Sequence, residues 1–582
     1  MLYAARVKTL VLCIILALCG TTLCRGDEAE IVNGALGKRL DEYLSRITPF
    51  GFSGALLVAQ HGRVVLNKGY GLADRTEGIR NTSETIFCAG SITKQFTAAA
   101  IMTLEMQGKL KTEDPLGKYL DGVPPDKSDI TLHNLLTHTS GLVPDVGRDY
   151  DIAERDLTVK KILALPLEFA SGERFEYSNV NYTLLAALIE KLSGQTYEQY
   201  LHEHLFKPAG MLWTGYRMPL WTERIVAHWY VGDQDNTNSL QRPFPYWNLI
   251  GNGGILTTTD DMYKWHLALN GEKILSGDAK KKLFTPFLND YAYGWDVLET
   301  VHGKVVQHNG GSDLGNNAEI RRYIDSNTVT ILFCNQFYEG KPLIDAVRKK
   351  IEDIVFGGKV SLPAQIAGTP RGTLKKFSGE YKLPSGEAFL VAAAHDGLLV
   401  TPEGQGAVSL LAFPEGSDAQ LLKKLGATSV KVLQAAVRGD FGPLGGVMEN
   451  RKKRMEGVRG LIEGRIREEK ERIGEIRSVA AISTLPSPFD DGAVETCMEL
   501  KGDRGSFYLR LIWQGERNVG IGPMEGARRV EFRFLPVSST EFAGYDLILG
   551  KDVRISFNTD GAGAVLTVHG KGKSVKARKA SR

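Results

Sequence analysis

Strand-forming runs stand at both ends of residues 30–358 and helix-forming runs stand between them, an order that leaves few folds open. At the front, SGALLVAQHGRVVLNKGYGLAD (53–74) holds two β-rich runs around Gln60-His61-Gly62-Arg63, the pattern of a hairpin. At the back, KVVQHN, AEIRRYI and TVTILFCN supply further strands. Between them the apolar period becomes helical. Phe96, Ala100 and Leu104 recur at i, i+4 from Ser91 to about Gly108, and Leu184, Leu185, Leu188 and Leu192 precede a stop at Gly194. Thr196 with Gln199 forms a capping-box signature, and Thr258-Thr259 opens another helix. KPLIDAVRKKIEDIVFG ends the region with Leu343, Ile344, Val347, Ile351 and Ile354 on one face. One antiparallel sheet built from both ends, flanked by helices, satisfies this order with a single core, so the expected class is α+β.

A chain of 582 residues exceeds one typical core. The first domain is expected over 27–358, KVSLPAQIAGTPRG (359–372) reads as a linker, and 373–582 reads as a mostly β domain with a helical insertion at about 426–480. Within the insertion, Met455, Val458, Ile462, Ile466, Ile473 and Ile476 form an apolar stripe. A helix of this kind over 446–480 either lies on the β domain or self-associates with a second copy.

Residues 1–26 combine a basic start (Arg6, Lys8), an apolar run at 9–19 and small residues before Gly26, the pattern of a secretory signal peptide. The protein is therefore expected to be exported, periplasmic or extracellular, touching a membrane only through this segment if it stays uncleaved. Removing it lowers Lys+Arg from 71 to 68 against 68 Asp+Glu, which argues against a nucleic-acid partner. Of the six cysteines, Cys88, Cys334 and Cys497 lie beyond it, too widely spaced for a zinc site or a disulfide framework; they read as buried small hydrophobes, with one bridge left open in an oxidising compartment.

The chemistry-bearing residues begin with CAGSITKQF. A serine hydroxyl is a weak nucleophile and needs a base beside it. Ser91 and Lys94, three apart on a helix, share a face, and burial near the helix start favours an uncharged amine. Gly90 permits close backbone approach and frees the Ser91 amide as an oxyanion donor. Alone, Ser-x-x-Lys is weak, with roughly two chance matches in a chain this long. Two further motifs raise its meaning. Tyr177-Ser178-Asn179 precedes a helix, and a tyrosine whose phenol pKa is lowered by a cation relays protons while an asparagine amide holds lysine and substrate. His308-Asn309-Gly310 ends a strand, where Gly310 and Gly311 let a substrate lie along the edge and Gly311 offers a second oxyanion N–H. Tyr246-Trp247-Asn248 and His395-Asp396-Gly397 match the bare patterns but lack the helix and the position, respectively. No metal is expected, since His202-Glu203-His204 lacks the spacing that aligns two ligands on one helical face. No cofactor motif is present, because GNGG and HNGG lack the Gly-Lys-Ser/Thr ending of a phosphate loop.

In order and context, SITK, YSN and HNG resemble the three motifs of the serine β-lactamase and penicillin-binding-protein family. The resemblance covers about residues 35–357 and points to the branch of class C β-lactamases, DD-peptidases, D-aminopeptidases and esterases. GALLVAQHGRVVLNKGYGLAD, ITLHNLLTHTSGL, FKPAGMLWTGY and GNGGILTTTDDMYKW resemble its other landmarks. The resemblance implies a sheet flanked by helices plus an all-helical subdomain, the β-lactamase/transpeptidase-like fold, and a barrel-like character for the C-terminal domain. It implies Ser91 as the acylated nucleophile with Lys94 as its base partner. Tyr177 would protonate the leaving group and activate the deacylating water, and Asn179 would orient Lys94 and substrate. The amides of Ser91 and Gly311 would form the oxyanion hole, and Asn309, Gly310 and Gly311 the substrate edge. His308 stands where many relatives carry lysine, and FASGERF lacks a proline usual before its glycine. The implied activity is an exported serine hydrolase acting through an acyl-enzyme on a small-molecule or peptide substrate, an amide or ester of D-amino-acid or cell-wall type. A β-lactamase, a carboxylesterase and a non-catalytic β-lactam- or peptidoglycan-binding sensor are the alternatives.

Overall fold

The computed structural model describes residues 30–338, 341–367, 373–412, 419–448, 452–487, 493–524, 531–547, 550–560, 563–570 and 573–580. The signal segment expected at 1–26 and part of the linker at 359–372 lie outside them. By internal contacts the chain forms two units. The first comprises residues up to Asp41 and Ser53–Phe337; the second comprises Glu42–Phe52 and Tyr338 onward. The first-domain boundary expected at 358 therefore shifts. The helix Ile344–Val355, whose buried Ile344, Val347, Ile351 and Ile354 match the expected face, belongs with the second unit.

The first unit carries a seven-stranded sheet drawn from both ends of its sequence. The strands are β1 (Ile31–Val32), β2 (Gly54–Gln60), β3 (Arg63–Tyr70), β4 (Asp296–Thr300), β5 (Gly303–Gly311), β6 (Asn317–Tyr323) and β7 (Thr328–Cys334), in the spatial order β1-β3-β2-β7-β6-β5-β4. All pairs are antiparallel, and β2 meets β7 where the two ends of the unit join, from Gly54↔Cys334 to Gln60↔Thr328. The β2–β3 hairpin turns at His61 (φ 51°) and Gly62 (φ 75°), the doubly left-handed turn whose twist suits paired strands.

Among the helices, α1 (Thr93–Met106) is central: every residue from Thr93 to Leu104 is buried. It is packed on all sides although it carries Thr93, Lys94, Gln95, Thr97 and Thr103, whose polar groups must find partners inside, and Phe96 meets Phe206 and Trp265 at 5.1 Å each. Helix α2 (Asn179–Ser193) buries Val180 through Ile189 and ends at the left-handed Gly194 (φ 73°). Thr196 and Gln199 form the expected capping box, and Thr258 caps α3 (Thr259–Asn270) by accepting from the Asp261 amide. Cys88, Cys334 and Cys497 are buried and unbridged.

The second unit contains a closed eight-stranded barrel formed by Gly379–Lys382, Ala388–Ala393, Leu398–Glu403, Phe532–Pro536, Glu541–Asp546, Lys551–Asp560, Gly563–Gly570 and Lys573–Lys579. Its first and last strands pair through Tyr381↔Lys579 and Lys382↔Arg578. The insertion is larger than the expected 426–480. It leaves after Glu403, returns before Phe532, and holds helices from Gln405 to Ile473 plus the four-stranded sheet Ile476–Pro486, Ala493–Gly502, Ser506–Gln514 and Arg517–Met524. Ile476 accordingly starts a strand, and the helix expected over 446–480 runs from Lys452 to Ile473. Its Ile462, Ile466 and Ile473 share a core with Leu509, Leu511 and Trp513, so the stripe lies on the adjoining sheet.

The barrel core centres on Phe557, whose ring lies 4.5 Å from Phe377, 5.5 Å from Tyr381 and 5.7 Å from Phe542. Truncating a buried phenylalanine removes apolar burial and leaves a cavity, together about 3–5 kcal/mol. Phe557→Ala is expected to destabilise the barrel by that amount. Hydrogen-exchange mass spectrometry on peptides from 379–403 and 541–579 should show protection lost there; a loss below about 1 kcal/mol would contradict the packing.

Candidate active site

The site forms where α1, the start of α2 and the end of β5 converge. Its backbone frame is set by glycine. Gly90 adopts φ 52° in the turn before α1, and a Cβ on it would lie 2.4 Å from the Gly311 nitrogen. A Cβ on Gly310 would lie 2.3 Å from the Ala89 oxygen and 2.5 Å from the Ser91 nitrogen. Distances this short admit no side chain. The amides of Ser91 and Gly311, both expected as oxyanion donors, therefore lie on two backbones packed glycine to glycine. Asn309 is exposed at the same strand end.

Lys94 is fully buried, with Nζ 3.1 Å from Ser91 Oγ, 2.7 Å from Asn179 Oδ1 and 2.7 Å from the Asn252 carbonyl oxygen. Asn179 donates through Nδ2 to Asp145 Oδ1 at 2.8 Å, which fixes its amide so that Oδ1 faces the lysine. A carbonyl and an amide oxygen can only accept, so two amine protons go to them. In the neutral amine the third direction is the lone pair, and it faces Ser91 Oγ. Burial lowers the Lys94 pKa to about 7 against the opposing pull of Asp145 and Asp149, so the neutral form is populated near neutrality. The geometry thus equips Lys94 to take the serine proton.

Tyr177 hydrogen-bonds Ser91, and Lys94 Nζ sits over its ring at 4.7 Å from the centroid. The expectation of a lowered phenol pKa does not hold. Burial raises it well above the ordinary value, and the hydrogen bond with Ser91 only partly offsets that. The cation approaches the ring face and leaves the hydroxyl alone. Tyr177 is consequently a phenol at all working pH values, suited to donating a proton and unsuited to taking the first one.

His308 is buried and makes two hydrogen bonds. Nδ1–H donates to the Asn309 carbonyl at 2.5 Å, which leaves Nε2 to accept from Tyr291 Oη at 3.0 Å. Burial and the nearby Lys94 lower its pKa to about 3. Where relatives of the expected family carry a lysine, this chain presents a neutral ring with both nitrogens occupied.

Several contributors were not identified from sequence. Asn252, within GNGG, holds Lys94 through its backbone carbonyl and is itself held through Nδ2 by Thr183 Oγ1 at 2.9 Å and the Asn248 carbonyl at 2.8 Å. Asn248 of the rejected Tyr246-Trp247-Asn248 thus braces the site at one remove. Asp145 and Asp149 act on Lys94, and Asp313 acts on Asp149; burial, then Asp145, then Asp313 raise the Asp149 pKa while Lys94 opposes them. None of the three forms an ion pair with a described residue. No His/Cys/Asp/Glu group among the described residues could hold a metal.

The family model described as Beta-lactamase matches residues 49–352 of this chain. PbpX of Bacillus subtilis (strain 168) is 38% identical over 260 residues, which are 45% of this chain and 65% of that protein. A penicillin-binding protein of the same strain is 30% identical over 405 residues, 64% of this chain and 88% of its own length. The chain thus spans slightly less than two thirds of the first relative and most of the second. A solved penicillin binding protein from Bacillus halodurans aligns with a TM-score of 0.47 and 28% identity over 56% of this chain and all (100%) of that one.

The Lys94 environment sets a pH dependence. The amine must be neutral to act, so acylation of Ser91 should rise with pH through about 7 and level off above it. Labelling rates with a fluorophosphonate, followed by mass spectrometry from pH 5 to 9, read this directly. Lys94→Met should abolish the rising limb and slow labelling by about a hundredfold or more. A limb that survives in Lys94→Met would remove the lysine from the base role.

Proposed function

The chain belongs to the Beta-lactamase family, in which the fold serves serine hydrolases, and from this premise we propose that it hydrolyses an amide or ester through an acyl-enzyme on Ser91. The observation that carries the proposal is the Lys94 amine held between two obligate acceptors with its third direction on Ser91 Oγ. In the proposed cycle Lys94 takes the serine proton as Oγ attacks the carbonyl carbon. The Ser91 and Gly311 amides stabilise the oxyanion, and the Tyr177 phenol protonates the leaving group. The resulting phenolate takes a proton from the water that attacks the acyl-serine, and Lys94 returns its proton to Ser91 Oγ as the acyl bond breaks. Asn179 and the strand edge Asn309–Gly311 position the substrate.

The electrostatics favour one substrate class. A substrate carboxylate would find no charge at His308 and three carboxylates at Asp145, Asp149 and Asp313. An ammonium group would relieve the repulsion that raises the Asp149 pKa. This supports an aminoacyl amide or ester with a free amino group, of D-amino-acid or cell-wall type, over β-lactams, whose carboxylate would be repelled. Export to the periplasm or the cell exterior rests on the pattern of residues 1–26 alone.

A substrate panel tests the reading: D-aminoacyl and N-acetyl-D-aminoacyl p-nitroanilides and methyl esters, short-chain esters, D-Ala-D-Ala peptides and a chromogenic cephalosporin. Free-amine substrates should have the higher kcat/KM by about tenfold or more, about 1.4 kcal/mol. Asp149→Asn should collapse that ratio toward one. Ser91→Ala should abolish turnover and the fluorophosphonate adduct. An adduct on Ser91 without turnover of any panel member would turn the reading to a sensor, and a preference for the cephalosporin to a β-lactamase.

A further inference from the structure

We infer that His138 is a positioning residue for this acyl transfer, its Nδ1 and its carbonyl together holding the Tyr177–Asn179 turn so that both side chains reach Ser91 and Lys94. The inference rests on the serine-hydrolase reading above. His138 lies in the THTSGL stretch with φ 56°, and its side chain is fully buried. Its carbonyl accepts from the Glu176 amide at 2.9 Å. Its Nδ1 accepts from the Ser178 amide at 3.1 Å and lies 3.2 Å from Asn181 Nδ2. One residue therefore grips the chain on both sides of Tyr177.

The same stretch completes the hold. The Ser178 hydroxyl donates to the Val143 carbonyl at 2.8 Å, and the Asn179 amide donates to the Pro144 carbonyl at 2.8 Å. Ser140 Oγ donates to Asn181 Oδ1 at 2.7 Å, which orients Nδ2 toward the imidazole. The imidazole itself lies 4.3 Å from the Tyr177 ring, 4.8 Å from Tyr291 and 5.2 Å from Tyr182, centroid to centroid. It fills the space between the proton donor of the proposed cycle and the hydroxyl that bonds His308.

The chemistry of the donors fixes the tautomer. A backbone amide can only donate, so Nδ1 carries no proton and the ring proton sits on Nε2. Protonating Nδ1 would break the Ser178 bond. Burial, then Lys94 and His308 beside the ring, keep the imidazole neutral, so the grip does not titrate near the ordinary histidine range. The side chain this position needs has an sp² acceptor one bond beyond Cγ. Asparagine supplies such an acceptor in its Oδ1, glutamine places its oxygen one bond too far, and leucine supplies volume without an acceptor.

Stopped-flow acylation by an activated ester or fluorophosphonate, on the full chain, separates these cases. His138→Asn should keep the rate within about fivefold. His138→Gln and His138→Leu should slow it by about a hundredfold, with KM for the panel's best substrate changed much less than kcat. A double-mutant cycle adds the readout that a purely structural role would not move. If His138 acts through the turn, His138→Gln combined with Asn179→Ala should be no slower than the slower single variant. Equal rates for Asn and Gln at 138, or effects that multiply in the cycle, would overturn the assignment. Should His138→Leu fail to fold, the Asn and Gln variants still decide it. A chain that hydrolyses nothing but still acylates would sink the proposed function while leaving this test intact.

Discussion

The burial of one amine governs the rest of the site. Lys94 lies out of water with a side-chain amide, a backbone carbonyl and a hydroxyl as its neighbours. A charged ammonium there is costly, and the protein offsets that cost only in part, through carboxylates that lie beside it without forming ion pairs with it. The outcome is an amine whose pKa lies near neutrality, as the proposed base role requires. Every other element has a task set by that choice. Helix α1 buries the lysine, the start of α2 delivers Asn179, and the turn at Gly251–Gly254 delivers the Asn252 carbonyl. The glycine contacts at the end of β5 bring the Gly311 backbone against Gly90 and Ser91.

Burial acts on Tyr177 and His308 in opposite directions with one result. It raises the phenol and lowers the imidazole, so both are neutral over the working range. For a fully buried group desolvation is worth up to about 3–5 pKa units, more than a single hydrogen bond or a cation over a ring face returns. Lys94 alone titrates near neutrality among these three, which in the proposed cycle separates the base from the acid.

The sheet's assembly from both ends, α1 through α3, the Gly194 stop and the Thr258 cap were legible in the sequence because each has a local pattern. Ser91, Lys94, Tyr177, Asn179 and His308 were singled out from side chains within short motifs, and the structure brings these five together. Asn252 was not, because it contributes a backbone carbonyl, and any residue type has one. His138 was quoted only as part of a landmark, because its role depends on a turn some forty residues away that the fold brings to it. The direction of the Tyr177 shift was misread because sequence places a cation nearby without showing which part of the ring it faces. The insertion was drawn too narrow because alternating strands of a barrel and of an inserted sheet share one periodicity. Only the pairing of Leu398 with Phe534 and Val400 with Phe532 shows where one closes around the other.

That pairing has a consequence for how such a chain can change over time. The inserted segment departs and returns between strands that are neighbours in the barrel, so the ladder on either side is complete without it. It also has its own core, from Leu425 and Leu433 to Trp513. Its first helix, Gln405–Ala412, still belongs to the barrel core through Ala407 and Leu411, so a socket lies beyond that helix: a module can be exchanged or enlarged there without shifting the register of any barrel strand, and the lineage of the appended piece is free to differ from that of the barrel that carries it.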